Sequence, residues 1–252
     1  MLRKRVIPVL LLKDGGLYKS IRFKHRAATY VGDPINCIKV FNDKEVDELI
    51  FLDIMASKQN SEPDYELLKN IASECFMPIA YGGGIKNLEQ VRKIIGLGIE
   101  KIVLNSVLLK DYNLIEEIAK VFGSQSIVAS VDVKKSFFGG YKIYDSSKNR
   151  ISKQNLLEHL DNLQRSGVGE IIITSVNREG TFSGYDLDLI SFINKRIKVP
   201  MIINGGASNL DDFKKAFFDF NLPAAAASSI FVFKGRLRGV LISYPKYQEI
   251  MK

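Results

Sequence analysis

The chain has 252 residues, 46% of them apolar, a formal net charge of +8 and two cysteines. That length and apolar content suit one α/β domain with an ample core, and two cysteines do not make a disulfide framework. No apolar run approaches the roughly 18 residues that cross a bilayer, so no membrane association is expected.

In chain order, Met1-Leu2-Arg3-Lys4-Arg5 puts charge before an apolar run that ends at Lys13-Asp14 without a small-residue cleavage site. A secretory leader is therefore not expected, and the cytoplasm is the expected location. Residues 6–12 read as a first strand, followed by a long loop over 13–32. Further strands are expected at 49–54, 78–81, 101–105, 126–133, 170–175, 199–204 and 224–228. These runs are short, β-branched and continuous rather than alternating, as in parallel strands covered on both faces. Between them, apolar residues at three- and four-residue spacing predict helices over 64–75, 88–97, 113–122, 155–166, 187–194 and 211–220. Ser61 and Asn209 are the expected N-caps of the first and last of these. A second long loop covers 136–150, with Gly139-Gly140 and Asp145-Ser146-Ser147. The final stretch, 231–252, reads as weakly helical.

Eight strands alternating with helices, and no Pro/Gly/Ser-rich linker, predict a single (β/α)8 TIM barrel spanning 1–252. The halves, about 1–123 and 124–252, repeat each other. Asp53 answers to Thr174, Gly84 to Gly205 or Gly206, and Ser106 to Ser228 or Ser229, at offsets of 121 to 123 residues. At offset 121, Asp132 answers to Leu11.

A phosphate needs several N–H donors converging without side-chain obstruction, which glycine turns and helix N-termini supply. Gly205-Gly206 ends strand 7 and Ser228-Ser229 ends strand 8; Gly83-Gly84 and Asn105-Ser106 repeat the arrangement on strands 3 and 4. Gly180, after strand 6, adds a further donor. The expected ligand is elongated, with a phosphate at each end. Cys37 and Cys75 read as buried small hydrophobes. His25 and His159 stand alone, so no metal site is expected. The lysines are scattered rather than blocked, and nucleic acid is not an expected partner.

Lys13-Asp14-Gly15, Gly32-Asp33-Pro34, Tyr81-Gly82-Gly83-Gly84-Ile85, Val131-Asp132-Val133-Lys134, Ser183-Gly184-Tyr185-Asp186 and Gly205-Gly206-Ala207 resemble the HisF family, the cyclase subunit of imidazole glycerol phosphate synthase. The resemblance runs from residue 1 to at least Phe233. It implies a TIM barrel of histidine biosynthesis, without cofactor. A HisH-like glutaminase subunit, bound as a heterodimer, releases ammonia that passes through the barrel to a doubly phosphorylated substrate. The enzyme class implied is an ammonia-using lyase or cyclase-type synthase subunit. The family's two catalytic aspartates fall on Asp132 and Leu11, and leucine cannot exchange protons. Lys19 falls on the family's loop lysine, and Asp53 and Thr174 join it as expected substrate contacts; the loop around it is about two residues longer than the family pattern. Arg5, Glu48, Lys101 and Glu170 match the family's salt-bridged gate at the ammonia entrance.

Conduit parts kept with one cyclase carboxylate lost imply a subunit diverged toward amidination of surface sugars, as in a branch resembled by Pro8-Val9-Leu10-Leu11-Leu12-Lys13-Asp14-Gly15-Gly16. In that branch a sugar amidotransferase is a further expected partner. The alternatives are a genuine histidine-pathway cyclase and a non-catalytic anion-binding scaffold for a glutaminase.

Overall fold

A computed structural model describes residues 3–136 and 139–251. The ends of the expected 1–252 domain, and residues 137 and 138 of the second long loop, lie outside the described residues.

Eight parallel strands close on themselves: β1 Arg5–Lys13, β2 Leu49–Asp53, β3 Ile79–Gly82, β4 Lys101–Leu104, β5 Ile127–Lys135, β6 Glu170–Ser175, β7 Met201–Asn204 and β8 Ala224–Ala227. Neighbours pair in sequence order, and β8 returns to β1 with Arg5 opposite Ala224 and Pro8 opposite Ala227. The fold is a (β/α)8 barrel.

The continuous apolar strands are explained by two separate cores. On β1, Ile7, Val9 and Leu11 point inward and pack with Ile50, Val103, Val128, Ile172 and Ile202 in the barrel interior. Val6, Leu10 and Leu12 point outward into the larger cluster between strands and helices. Period two thus places alternate side chains on opposite faces, and neither face meets water.

Strand limits shift by at most two residues from the sequence reading: β7 begins at Met201 rather than 199, because Pro200 lies just before the ladder. The helices Tyr65–Glu74, Leu88–Gly96, Asn113–Phe122, Leu156–Arg165 and Leu187–Ile193 lie where expected. The 211–220 helix is divided: Leu210–Lys214 is α-helical and Lys215–Asp219 makes one wide π turn. Asn209 caps it in a reciprocal box with Asp212. The cap of Tyr65–Glu74 is Asp64, not Ser61: its carboxylate accepts from Leu67 N at 3.0 Å.

A helix absent from the sequence reading, Pro34–Asp43, joins β1 to β2; Asp33 caps it and Pro34 sits in its first turn. The 13–32 loop is a hairpin, Gly16–Lys19 against Thr29–Gly32, laid against the end of β1. The stretch 231–252 is mostly not helical among the described residues: the short helix Ser229–Val232 ends at its start, Phe233–Lys234 and Gly239–Val240 form a small hairpin, and Tyr247–Met251 is a helix. Its turn holds Gly235 and Arg238 at positive φ, which a helix does not accommodate. Cys37 is buried but Cys75 only partly so. No described helix is long and apolar enough to span a membrane.

Candidate functional site at the carboxyl end of the barrel

Because all eight strands run the same way, both glycine turns fall on one rim, the carboxyl end. They do so in two different settings. Gly83 and Gly84 line an open cavity of about 930 Å³ with Asn105 and Ser106. Gly180, Gly206, Ser228 and Ser229 line a separate recess of about 180 Å³. Gly205 lies at its edge, against Ser175 O and Glu179. The glycines are required by close approach as well as by torsion. A Cβ on Gly206 (φ 107°) would stand 2.2 Å from Gly184 O, and one on Gly83 (φ 142°) 2.6 Å from Asp53 Cβ. Within the small recess, Ser229 Oγ is buried with no hydrogen-bond partner among the described residues. A buried hydroxyl left so is costly unless a ligand engages it.

Asp132 lines the open cavity, 4% exposed in the second half of β5. Asn105 Nδ2 donates to its Oδ2 at 2.9 Å and to Ser130 Oγ at 3.3 Å. Burial pushes the carboxyl up from its ordinary 3.8 to about 7; hydrogen bonds from Asn105 and Ser146 oppose the rise, and the charges of Glu179 and Asp145 add to it. The group therefore stands near half-protonation at neutral pH and can give or take a proton. Leu11 lines the same cavity, paired across the ladder with Leu52, and brings no ionisable group.

Next to Asp132 in register stand Thr174 and then Asn204, all on the barrel interior. Asn204 Nδ2 donates to Thr174 Oγ1 at 3.1 Å, while its Oδ1 is buried without a donor. If the amide is turned over, the other end is orphaned instead. Either way the mouth holds one unused hydrogen-bonding atom. Asp53, the repeat equivalent of Thr174, is used structurally: its Oδ1 accepts from Met55 N and Ala56 N at 2.8 and 2.9 Å. Ser106 Oγ donates to Ser57 Oγ at 3.2 Å.

The β1 hairpin crosses this face. Lys19, 4% exposed, forms a buried ion pair with Glu179 in the loop after β6. Arg22 N donates to Glu179 O at 2.9 Å, and Gly180 lies directly under Ser20 and Ile21. Glu179, Asn204 and Ser146 are thus site residues that the sequence reading did not single out. Ser146 stands inside the Asp145-Ser146-Ser147 run, and Glu179 and Asn204 immediately precede Gly180 and Gly205.

At the opposite end of the barrel, four charges form a closed ring. Arg5 reaches Glu48 at 2.6 Å and Glu170 at 2.7 Å, and Lys101 reaches the same two at 3.0 and 3.2 Å. Two cations and two anions leave no net charge. Between this ring and Asp132 the interior is mainly apolar, with small Ala80, Ala224 and Ala226 among the branched side chains and Ser130 just below Asp132. Outside the ring lies a shallow cavity bordered by Arg5, Glu170 and Phe76, the last 87% exposed. Among the described residues no cluster of His, Cys, Asp or Glu could hold a metal ion. His159 is buried, and its Nδ1 shares a 2.8 Å hydrogen bond with Tyr112.

Residues 5–238 match the family model described as histidine biosynthesis protein. The chain is 50% identical over 250 residues to a Pseudomonas aeruginosa protein provisionally named imidazole glycerol phosphate synthase subunit hisF2, with 99% of each chain covered. It is 46% identical over 254 residues to a Vibrio vulnificus protein provisionally named subunit hisF3, covering 100% of this chain and 96% of that one. A protein of a Hydrogenobaculum species, named imidazole glycerol phosphate synthase subunit HisF without qualification, is 37% identical over 250 residues, covering 99% and 98%.

Proposed function

The chain belongs to the histidine biosynthesis protein family, and we propose that it is a HisF-type synthase subunit diverged from the histidine-pathway cyclase. In this reading a HisH-like glutaminase docks under the charged ring, ammonia passes up the barrel, and a doubly phosphorylated ligand spans the two glycine-lined sites on the upper rim. The ammonia serves amidination of a surface sugar, on this subunit or on a sugar amidotransferase bound to it. The whole of 1–252 acts as one domain.

The observation that carries the divergence is Leu11. An acid–base pair needs two ionisable groups at the reacting atoms; here the second position of the family pair is an apolar wall beside Asp132. A ring without net charge and a mainly apolar interior favour a neutral molecule over ammonium, whose desolvation is far more costly. The exposed Phe76 beside the ring suits a covered surface. The unused amide atom of Asn204 gives arriving ammonia a hydrogen-bonding partner beside Asp132. At neutral pH Asp132 then takes a proton from the nitrogen as it attacks, or returns one.

Glu179 favours a second reading, a genuine cyclase. It lines the same cavity and is close enough to raise the Asp132 pKa, so the two could divide the proton transfers. Reconstitution separates the readings. The purified chain is supplied with ammonium salt at alkaline pH and the doubly phosphorylated histidine-pathway nucleotide. Turnover at the rate of an ordinary family member overturns divergence. Absent turnover, together with glutaminase stimulation in a co-expressed pair and an amidinated sugar product, supports it. Stimulation without any product points to a scaffold.

A further inference from the structure

The two anion sites differ in what lies beyond them. The second-half recess is narrow, walled by Phe182, Ala207 and Ala227. The first-half site opens, past Ser57, Gly84, Ser106 and Ser147, into a trough of about 1890 Å³. Six cations line that trough: Lys58, Lys86, Lys110, Lys148, Arg150 and Lys153. Its one described acid, Asp145, is buried; it accepts from Ser147 Oγ and Lys148 N, and its other oxygen lies 3.9 Å from Lys148 Nζ.

Lys58 is the informative member. It lines both the cavity and the trough, is only partly exposed, and its ammonium has no hydrogen-bond or ion-pair partner among the described residues. A partly desolvated ammonium without a carboxylate is unfavourable by itself and favourable once an anion sits against it. Arg150 and Lys153 likewise lack a carboxylate partner among the described residues and border the same space.

We propose that the first-half site takes a linked diphosphate: one phosphoryl group on the glycine turn, the next in the trough against Lys58, Lys148 and Arg150. This rests on the reading of both glycine turns as phosphate sites and extends it. The ligand would then be asymmetric, with a terminal phosphate in the narrow recess and a diphosphate at the open end. Greater negative charge favours the trough, because its six cations face a single described acid, Asp145, which lies beside Lys148 alone.

The test is titration of the full chain with inorganic phosphate and with inorganic pyrophosphate, followed by amide resonances. Gly84, Ser106 and Lys148 report the open site; Gly206 and Ser229 report the narrow one. Pyrophosphate should shift Ser106 and Lys148 together, with a Kd about tenfold or more below that of phosphate. Lys58→Met, and Lys148→Ala with Arg150→Ala, should each abolish that preference while leaving phosphate binding at Ser229 unchanged. Equal affinities at Ser106, a preference unaltered in both variants, or pyrophosphate silent at Lys148 would overturn the proposal. Phosphate silent at both sets of reporters, with pyrophosphate still moving Lys148, would instead overturn the two-phosphate reading and leave the trough standing.

Discussion

Asn105 Nδ2 holds Asp132 Oδ2 at 2.9 Å in the lining of the upper cavity, so a carboxylate buried to 4% exposure keeps a donor in its ionised form. Without such a donor, desolvation alone would drive the group toward permanent protonation.

This makes Asp132 a source of instability as well as of chemistry. Unfolded, it ionises near 3.8; folded, near 7, chiefly through burial. Between these values the native state binds the extra proton, so stability falls as pH rises through that window and the loss is complete above it. Asp132→Asn should therefore raise stability at pH 8 by on the order of a few kcal/mol and flatten the slope below neutrality. Any ammonia-dependent turnover should fall by roughly a hundredfold or more. Urea melts at pH 4.5 and pH 8 decide it; the same difference from wild type at both would refute the assignment.

Leu11→Asp tests what the missing carboxylate means. Leu11 is 8% exposed and packs in the barrel interior, so a charged replacement should cost about 2–4 kcal/mol. Where the remaining residues are those of a cyclase, the variant should gain turnover of the histidine-pathway nucleotide with ammonium. A stable variant with no gain would mean that the site has changed in more than this residue.

The charged ring predicts a separation of two activities. Lys101→Ala removes a cation that binds both Glu48 and Glu170. With a glutaminase bound, glutamine hydrolysis should continue while its ammonia no longer reaches product. The reaction with external ammonium should be little changed. Arg5→Ala is expected to destabilise the fold as well, since it removes one of the two cations that pair with a Glu48 side chain only 3% exposed. Product formed per glutamine consumed is the measurement, and unaltered coupling would leave the ring a structural feature alone.

Lys19 and Glu179 pin the β1 hairpin across the rim. Glu179→Gln leaves a buried ammonium unpaired and should cost about 3 kcal/mol, felt mainly as release of the hairpin. Limited proteolysis in the 20–28 stretch should accelerate. Adding Lys19→Met should restore part of the protection, because the unpaired charge is then gone. Unchanged cleavage in the single variant would show that other contacts fix the hairpin.

What the sequence could reveal here depended on whether a residue's role was local. Strand positions were legible because both faces are buried, which leaves unbroken apolar runs such as Ile171-Ile172-Ile173. Asp132, Leu11 and the glycine turns were legible by residue type and repeat position. Glu179 was not, since it becomes a site residue only when a hairpin more than a hundred positions away folds over it. Asn204 reads as part of a glycine turn until its amide is seen beside Thr174. The helix Pro34–Asp43 has a good start signal in Asp33-Pro34, a run quoted above only for its family resemblance. The hairpin after β8 was hidden by apolar spacing that mimics a helix, and Gly235 and Gly239 outweigh that spacing in three dimensions.

The narrow recess sets two variants against each other. Gly206→Ala would put a Cβ 2.2 Å from Gly184 O at a torsion that alanine resists, so it should destabilise the fold and abolish phosphate binding together. Ser229→Ala should do the opposite. Its buried hydroxyl has no partner among the described residues, so removal should leave stability unchanged or raise it by up to about 1 kcal/mol. If that hydroxyl is kept for an anion, phosphate affinity should drop roughly fivefold while the protein melts no lower. A stabilised Ser229→Ala with undiminished phosphate affinity would remove the recess from the ligand's path.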